Sequence, residues 1–364
     1  MSYNPHTPLF SKNATTYSVL GTMSGTSCDG LDMVFAVFTK HCHRWSFHIE
    51  QATTFSYDDA WTEKLRSSDK LAASDLMELD MRLGHFMGQE IRHFMDMYFL
   101  KPDFIASHGH TVFHRPPVYT TQIGNGCAIH AETHTPVVCD FRSLDVALGG
   151  QGAPLVPIGD KLLFYEYPVC LNLGGFANLS FDNEQMKRIA FDVGAVNMIL
   201  NHYSELLGFP YDNGGELARR GDIHENLLHD LNTLPYYSRP YPKSLGKEWV
   251  QSELVPVLQR HQSKPETILR TYTEHIALQI AKSIAHLPSG KVLVTGGGAH
   301  NKFLLERLSA LSQHSIVVPE KDIINFKEAL IFAFLGVLRM RNETNCLSSV
   351  TGAIQDCCSG TLIG

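Results

Sequence analysis

Apolar positions along this chain follow two rhythms. Short runs rich in Val, Ile, Leu and Phe alternate with longer stretches in which apolar residues recur every three or four positions. The short runs predict strands over residues 17–22, 31–38, 104–108, 136–141, 169–181 (strand, turn, strand), 189–192, 291–295 and 315–319. Residues 74–100 predict a long amphipathic helix, with Ser74 and Asp75 available as caps. Its core face is Leu76, Leu79, Leu83, Phe86, Ile91, Phe94 and Tyr98. Further helices are expected near 128–133 and over 198–207, 266–287 and 326–339, the last almost entirely apolar. Strands and helices that alternate in this way predict an α/β protein.

The turn between the first two strands holds Ser24, Gly25, Thr26, Ser27, Asp29 and Gly30, more polar chemistry than a reversal of direction requires. Gly admits a phosphate close to the backbone, and successive N–H groups with hydroxyls can cradle its oxygens. Asp29 or Asp32 could hold a hydrated Mg²⁺. A plain polar surface turn fits this stretch equally well. Residues 169–181 repeat the idea of strand, glycine turn, strand, and so predict a duplicated fold whose two lobes each present one turn to a shared cleft. Asp192 is expected at a strand end, with Gly194 next and a helix N-terminus beyond. That suits catalysis beside phosphates, or merely a helix cap.

Residues 291–304 form another strand, glycine turn and helix. Gly296, Gly297 and Gly298 lack the dinucleotide-binding spacing, and no G-x-x-x-x-G-K-[ST] occurs anywhere in the chain. A triple glycine there could lie against adenine or ribose. Residues 142–157 are the most loop-like stretch, either a crossover between lobes or a functional loop around Arg142, Asp145 and Gln151. An Arg fork there would suit a carboxylate. His108, His110 and His114 cluster after a strand without a carboxylate or Cys at matching spacing, so a metal site is disfavoured. His108 could instead donate to sugar or phosphate oxygens. His41-Cys42-His43 lacks a second ligand pair. Lys243 and Lys247 are expected to be solvated. Glu328 opens the apolar helix, where it would either favour the helix dipole or point into the cleft.

A chain of 364 residues exceeds one typical core, which predicts two lobes. Hydrophobic content of 44% with 18% charged residues is that of an ordinary globular protein, and a net charge of -7 gives no footprint for nucleic acid. No apolar run reaches membrane-spanning length. Residues 1–16 are polar and read as a flexible lead-in, not a secretory signal. Eight cysteines without a C-x-x-C pair suit a reducing cytoplasm.

The motifs, taken in order, resemble the anhydro-N-acetylmuramic acid kinase family within the actin, sugar-kinase and heat-shock ATPase superfamily. The resemblance rests on Met23-Ser-Gly-Thr-Ser-Cys-Asp-Gly-Leu-Asp32, Ser107-His-Gly-His-Thr-Val-Phe-His-Arg-Pro116 and Asp140-Phe-Arg. It continues through Ala147-Leu-Gly-Gly-Gln-Gly-Ala-Pro-Leu-Val-Pro157, Leu171-Asn-Leu-Gly-Gly-Phe-Ala-Asn178, Pro242-Lys-Ser, Gly296-Gly-Gly-Ala and Ser348-Ser-Val-Thr-Gly-Ala353. It implies a two-lobed actin-like ATPase fold, a duplicated ribonuclease H-like α/β architecture with a central cleft. Lobe one would take residues 17–150 and 335–364, and lobe two residues 151–334.

The implied reaction is ATP-dependent. Water opens the 1,6-anhydro ring while the 6-oxygen receives the γ-phosphoryl group, giving N-acetylmuramic acid 6-phosphate in peptidoglycan recycling. By the resemblance Asp192 is the catalytic base and Glu328 a second acid beside the reacting carbon. Gly25, Thr26, Ser27, Cys28, Asp29, Gly30, Leu31 and Asp32 match the ATP-phosphate segment. Gly174, Gly175, Asn178, Gly296, Gly297 and Gly298 complete the nucleotide side, with Mg²⁺ on Asp29 and Asp32. His108, Arg142, Gln151, Gly194 and Asn197 fall to the sugar. Around the base the family reads Phe-Asp-Thr-Gly-Pro-Gly-Asn, whereas this chain has Val193, Ala195 and Val196, which predicts a divergent branch. A homodimer is compatible with the resemblance; nucleic-acid and membrane partners are not expected. The alternatives are a related sugar kinase with another substrate, or a non-catalytic ATP-binding switch protein.

Overall fold

A computed structural model describes residues 15–25 and 28–364. The chain divides into two compact units, one formed by the described residues up to Leu163 together with Phe326–Gly364, the other by Phe164–Asn325.

The first unit is built on strands β1 (Thr16–Ser24), β2 (Gly30–His41), β3 (Arg44–Ser56), β4 (Phe104–Arg115), β5 (Tyr119–Ile123) and β6 (Val137–Cys139). Its order is β3-β2-β1-β4-β6, with the first three antiparallel and β1, β4 and β6 parallel. The second unit carries β7 (Val169–Leu173), β8 (Phe176–Asp182), β9 (Arg188–Ala195), β10 (Lys291–Thr295) and β11 (Ser315–Val317). Its order is β9-β8-β7-β10-β11, with the same sequence of antiparallel and parallel pairs. One 3-2-1-4-5 topology occurs twice, the duplicated ribonuclease H-like arrangement of the actin-like ATPases. The first sheet carries two additions to the expected five strands. β5 pairs antiparallel with β4, and a C-terminal β12 (Thr361–Ile363) pairs antiparallel with β6.

Burial is nearly continuous along the central parts of β1, β2 and β4, so the first sheet has two covered faces. Leu20, Leu31, Met33, Phe35 and Ile105 meet Leu79, Leu83, Met87 and Ile91 of the Ala73–Met97 helix. That helix starts one residue earlier than the pattern predicts, and its N-cap is Ala72 without a side-chain cap bond, so Ser74 and Asp75 do not cap it. The opposite face receives the Lys321–Met340 helix. Phe334 of that helix packs against Trp45 and Phe38, and Phe332 against Phe141 and His108. The approach is close. A Cβ built on Gly21 would lie 2.3 Å from the carbonyl oxygen of Ala329, and one on Gly336 would lie 2.7 Å from the Phe104 ring.

Two boundaries differ from expectation. Residues 151–163 belong to the first unit because the Val156–Leu163 helix packs there. Its Gly159 abuts Ile331, and its Asp160 pairs with Lys327 at 2.6 Å, both partners buried. The long apolar helix begins at Lys321, not 326, so Glu328 sits about two turns inside it and no longer meets the N-terminal dipole. In the second unit the core surrounds Leu171, Leu173, Leu179 and Val294, closed by the Pro265–Ile284 helix. No helix among the described residues is long and apolar enough to cross a membrane.

Candidate active site

Thr26 and Ser27 lie outside the described residues. At the start of their turn, Ser24 is buried and accepts a 2.9 Å hydrogen bond from the Tyr57 hydroxyl, while its Oγ lies 3.2 Å from His110 Nδ1. The His110 ring also bonds to the backbone of Ser24 and Gly25, and burial holds its pKa below the usual range. The turn closes through Cys28 N–H to Gly25 O at 3.1 Å. Asp29 is exposed. Asp32 accepts a 2.6 Å bond from Thr54 Oγ1, and burial raises its carboxyl above the ordinary value.

Three expected nucleotide contacts face the core instead. Cys28 and Leu31 pack among Leu20, Met33 and Tyr57, and Gly30 is pressed against the Phe55 carbonyl of β3. Strand alternation accounts for this. β2 begins at Gly30, and every second side chain from Leu31 points at the Ala73–Met97 helix.

Beyond the turn lies a cavity of about 520 Å³, lined by Met23, Ser24, Gly25, His108, Thr111, His114, Arg142, Ala153 and Glu328. That is the size range of small-molecule sites. Arg142 donates from Nε to His108 Nε2 at 2.9 Å and from Nη1 to Gly152 O at 2.6 Å, with its guanidinium 5.7 Å from the Phe332 ring centroid. An Arg has no lone pair to offer, so His108 Nε2 must be the acceptor. Nδ1 then carries the proton and donates to Gly109 O at 2.9 Å. His108 is thereby held neutral, its pKa well below normal through burial and the adjacent Arg142. Both its nitrogens are committed, so it orients Arg142 and does not donate to a ligand. Glu328 opens onto the cavity. Protein around its carboxyl raises the pKa by desolvation, and Arg142 opposes the rise.

Of the loop residues, Asp145 is fully buried and accepts from Gly152 N–H and Thr351 Oγ1, a structural anchor. The Gln151 side chain is exposed, and Ala153 lines the cavity in its stead.

In the second unit Asp192 lies inside β9, not at its end. Register slips by one residue between Ala177 and Asn178, which leaves Val193 unpaired and sets Asn178 directly opposite Asp192. Each carboxylate oxygen then receives a donor. Asn178 Nδ2 donates to Oδ1, and Leu245 N–H donates to Oδ2 at 2.8 Å. The backbone of Asp192 is held as well, its N–H donating to Lys243 O at 3.2 Å and its carbonyl accepting from Tyr236 OH at 2.7 Å. Burial raises the Asp192 pKa although both donors pull it down. Lys243 is half-buried. Its ammonium sits over the Tyr236 and Phe191 rings at 4.8 and 5.6 Å, and burial lowers its pKa.

Gly174 and Gly175 form the β7–β8 turn. Gly175 is exposed, and a Cβ there would meet nothing within 4 Å. Gly296 has φ +81°, and its missing Cβ would strike Asn172 Oδ1 at 2.7 Å, so only glycine serves there. Asn197 donates to Leu173 O at 3.1 Å, its N–H reaches Gly174 O, and its side chain lies beside Gly297 and Gly298. It therefore ties the two glycine turns together. Gly194 is buried where a Cβ would strike Ile276 at 2.8 Å and crowd Tyr237 at 3.3 Å, which makes it a packing glycine. Asn178 is turned to Asp192, away from the role expected of it toward nucleotide. Among the described residues no group of three or more His, Cys, Asp or Glu could hold a metal.

A family model described as anhydro-N-acetylmuramic acid kinase matches residues 17–363. The chain belongs to the anhydro-N-acetylmuramic acid kinase family. Relatives of that name include proteins from Mannheimia succiniciproducens, 34% identical with 94% of this chain and 98% of the relative covered, and Aliivibrio fischeri, 34% identical with 92% and 95% covered. Solved structures with some likeness include a ROK family glucokinase from Streptomyces griseus, at 9% identity, TM-score 0.39 and coverage of 87% and 98%. The positions where this chain departs from the family reading around Asp192 are accounted for by packing. Val193 and Val196 are both fully buried in the second core, so neither side chain borders a ligand surface.

Proposed function

We propose that this protein is an ATP-dependent sugar kinase that opens the 1,6-anhydro ring of anhydro-N-acetylmuramic acid and phosphorylates its 6-oxygen, a step of peptidoglycan recycling. The observation that carries the reading is the state of Asp192, a half-buried carboxylate of raised basicity with both oxygens held, in a chain of the anhydro-N-acetylmuramic acid kinase family. Asp192 takes a proton from the water that attacks the anomeric carbon. The bond from that carbon to the bridging oxygen breaks, and that oxygen takes the γ-phosphoryl group as ADP leaves.

Glu328 and Arg142, facing the first unit's cavity, bind the sugar near the reacting carbon, with His108 fixing the guanidinium. Gly25, Thr26, Ser27, Asp29 and Asp32 serve the phosphates from one turn. Gly174, Gly175, Gly296, Gly297, Gly298 and Asn197 serve the nucleotide. Mg²⁺ keeps most of its waters and needs only one or two carboxylates beside the phosphates, so Asp29 and Asp32 fit it without a preformed cage. Bound there, it would neutralise charge developing on the transferred phosphoryl group.

The test is ADP release from ATP with anhydro-N-acetylmuramic acid, comparing wild type with Asp192→Asn. Sugar-dependent turnover that drops by three orders of magnitude or more in the variant supports the reading. Full turnover in the variant rejects Asp192 as the base, and no turnover by wild type with this sugar rejects the substrate.

A further inference from the structure

Asn178 lies on β8, one strand away from Asp192, half-buried on the face that alternates with the core. Its neighbours on the strand, Ala177 and Leu179, are buried in the core. The bulge at Val193 brings Asn178 opposite Asp192, where the amide nitrogen donates to Oδ1. The other oxygen is held by a backbone N–H, from Leu245 in the segment after Lys243. A carboxylate has about four lone-pair sites, so two donors fix the plane of the group and leave the remaining sites free to accept a proton from water.

We infer that Asn178 is the positioning residue of this reaction: its amide holds the Asp192 carboxylate in the orientation that removes the proton from the attacking water. The inference rests on the reading of Asp192 as the base. The amide can only donate to the anion, so it sets orientation and also favours the ionised form. It opposes the desolvation that raises the Asp192 pKa. The other titratable groups facing Asp192 are Tyr236, bonded to its backbone carbonyl, and Lys243, whose ammonium is held over the Phe191 and Tyr236 rings. Leu245 supplies a backbone donor that only proline would remove, so Asn178 is the carboxylate donor whose side chain a substitution addresses directly.

The test uses the full chain, with ADP release measured across pH for Asn178→Ala, Asn178→Asp and Asp192→Asn. Asn178→Ala removes the donor. Its kcat should fall 10- to 100-fold, the acidic limb of its kcat/KM profile should move to higher pH, and its KM for ATP should stay within twofold of wild type. Asn178→Asp is close to isosteric and behaves oppositely. While the carboxyl pair shares one proton, the acid O–H at 178 replaces the amide donor, so activity is partly retained at low pH. It is lost at high pH as both groups ionise and repel. A residue needed only for folding would not give these opposed pH responses. Asn178→Ala with an unshifted profile and a raised KM for ATP overturns the inference and returns Asn178 to the nucleotide. Asp192→Asn separates the two claims. If it is inactive while Asn178→Ala is normal, only the positioning role fails. If it is active, the base assignment fails and the positioning role with it.

Discussion

Gly21 is where packing and chemistry meet most closely in the first unit. It lies on β1 three residues before Ser24, under the Lys321–Met340 helix that carries Glu328. A methyl group there would sit 2.3 Å from the Ala329 carbonyl oxygen and 2.7 Å from Ala333 Cβ, against the 3.4–4 Å of ordinary contact. The blocking atom is helix backbone, so no rotamer change can relieve it, and the helix must retreat by about 1 Å. Overpacking of this kind costs about 1–3 kcal/mol. Gly21→Ala should lower the thermal midpoint by roughly 2–4 °C per kcal/mol lost. Glu328 adjoins Ala329, so the retreat also displaces its carboxylate in the cavity, and kcat/KM for the sugar should fall about tenfold, the scale of a 1 Å misplacement or somewhat below it. Thermal unfolding followed by circular dichroism and initial-rate kinetics at varied sugar concentration measure the two effects. Ala333→Gly added to Gly21→Ala should recover only part of the stability, because the carbonyl contact remains. If Gly21→Ala melts within 1 °C of wild type with unchanged kcat/KM, the close helix–strand approach does not set the position of Glu328.

Three other perturbations bear on separate parts of the molecule. His108→Ala removes the acceptor of Arg142 Nε; a hydrogen bond to a charged group is worth about 1.5–3 kcal/mol, so KM for the sugar should rise roughly 10- to 100-fold, whereas His108→Gln, with an accepting amide oxygen, should retain most affinity. Asn345 is fully buried and holds the C-terminal segment through Leu335 O, Ser359 O and Ser359 N–H; Asn345→Ala should cost about 2–4 kcal/mol in a urea titration. His275 is buried and bonded to Asn232, and burial lowers its pKa to about 3, so the folded protein keeps it neutral while the unfolded chain protonates it below about pH 6.5. Its contribution is therefore lost as pH falls from 6.5 toward 3, at about 1.4 kcal/mol per pH unit. His275→Gln should flatten the acid side of the stability profile by that slope, and an unchanged slope would refute the assignment.

What the sequence reveals and what it hides divide along a physical line. The two hairpin turns are legible because Gly and hydroxyl residues crowd between apolar runs, and local composition dictates local conformation there. The duplicated topology follows from their repetition. β3 is passed over although its signal is there: in Arg44–Ser56 apolar Trp45, Phe47 and Ile49 alternate with Ser46, His48 and Glu50, as suits a strand at the end of the sheet order paired with β2. β12 is three residues long and exists only because β6, more than 200 residues earlier in the chain, offers an open edge. The start of the long apolar helix is misread as well. Its first turn mixes exposed Lys321 and Asp322 with Ile323 and buried Ile324, and Asn325 and Lys327 interrupt the pattern before the continuous apolar run begins at Ala329.

The candidate site follows the same rule. Asp192, Glu328 and Arg142 are legible as types, because a carboxylate or guanidinium among glycines and apolar residues demands a reason. Their states are not. The neutrality of His108 depends on which nitrogen meets Arg142, and spacing along the chain says nothing of that. The orientation of Asp192 depends on one extra residue, Val193, whose bulge decides whether residue 177 or 178 stands opposite the carboxylate. Without the bulge a strict antiparallel register from Gly194 and Ala177 would put Asn178 across from Val193, a core side chain, and its amide would have no anion to meet. The second donor is a backbone N–H from Leu245, present in every residue but proline and so invisible in composition. A motif can therefore identify the base, whereas the competence of that base is written in register and backbone, where a single inserted or deleted residue in β9 would abolish it while leaving Asp192 in place.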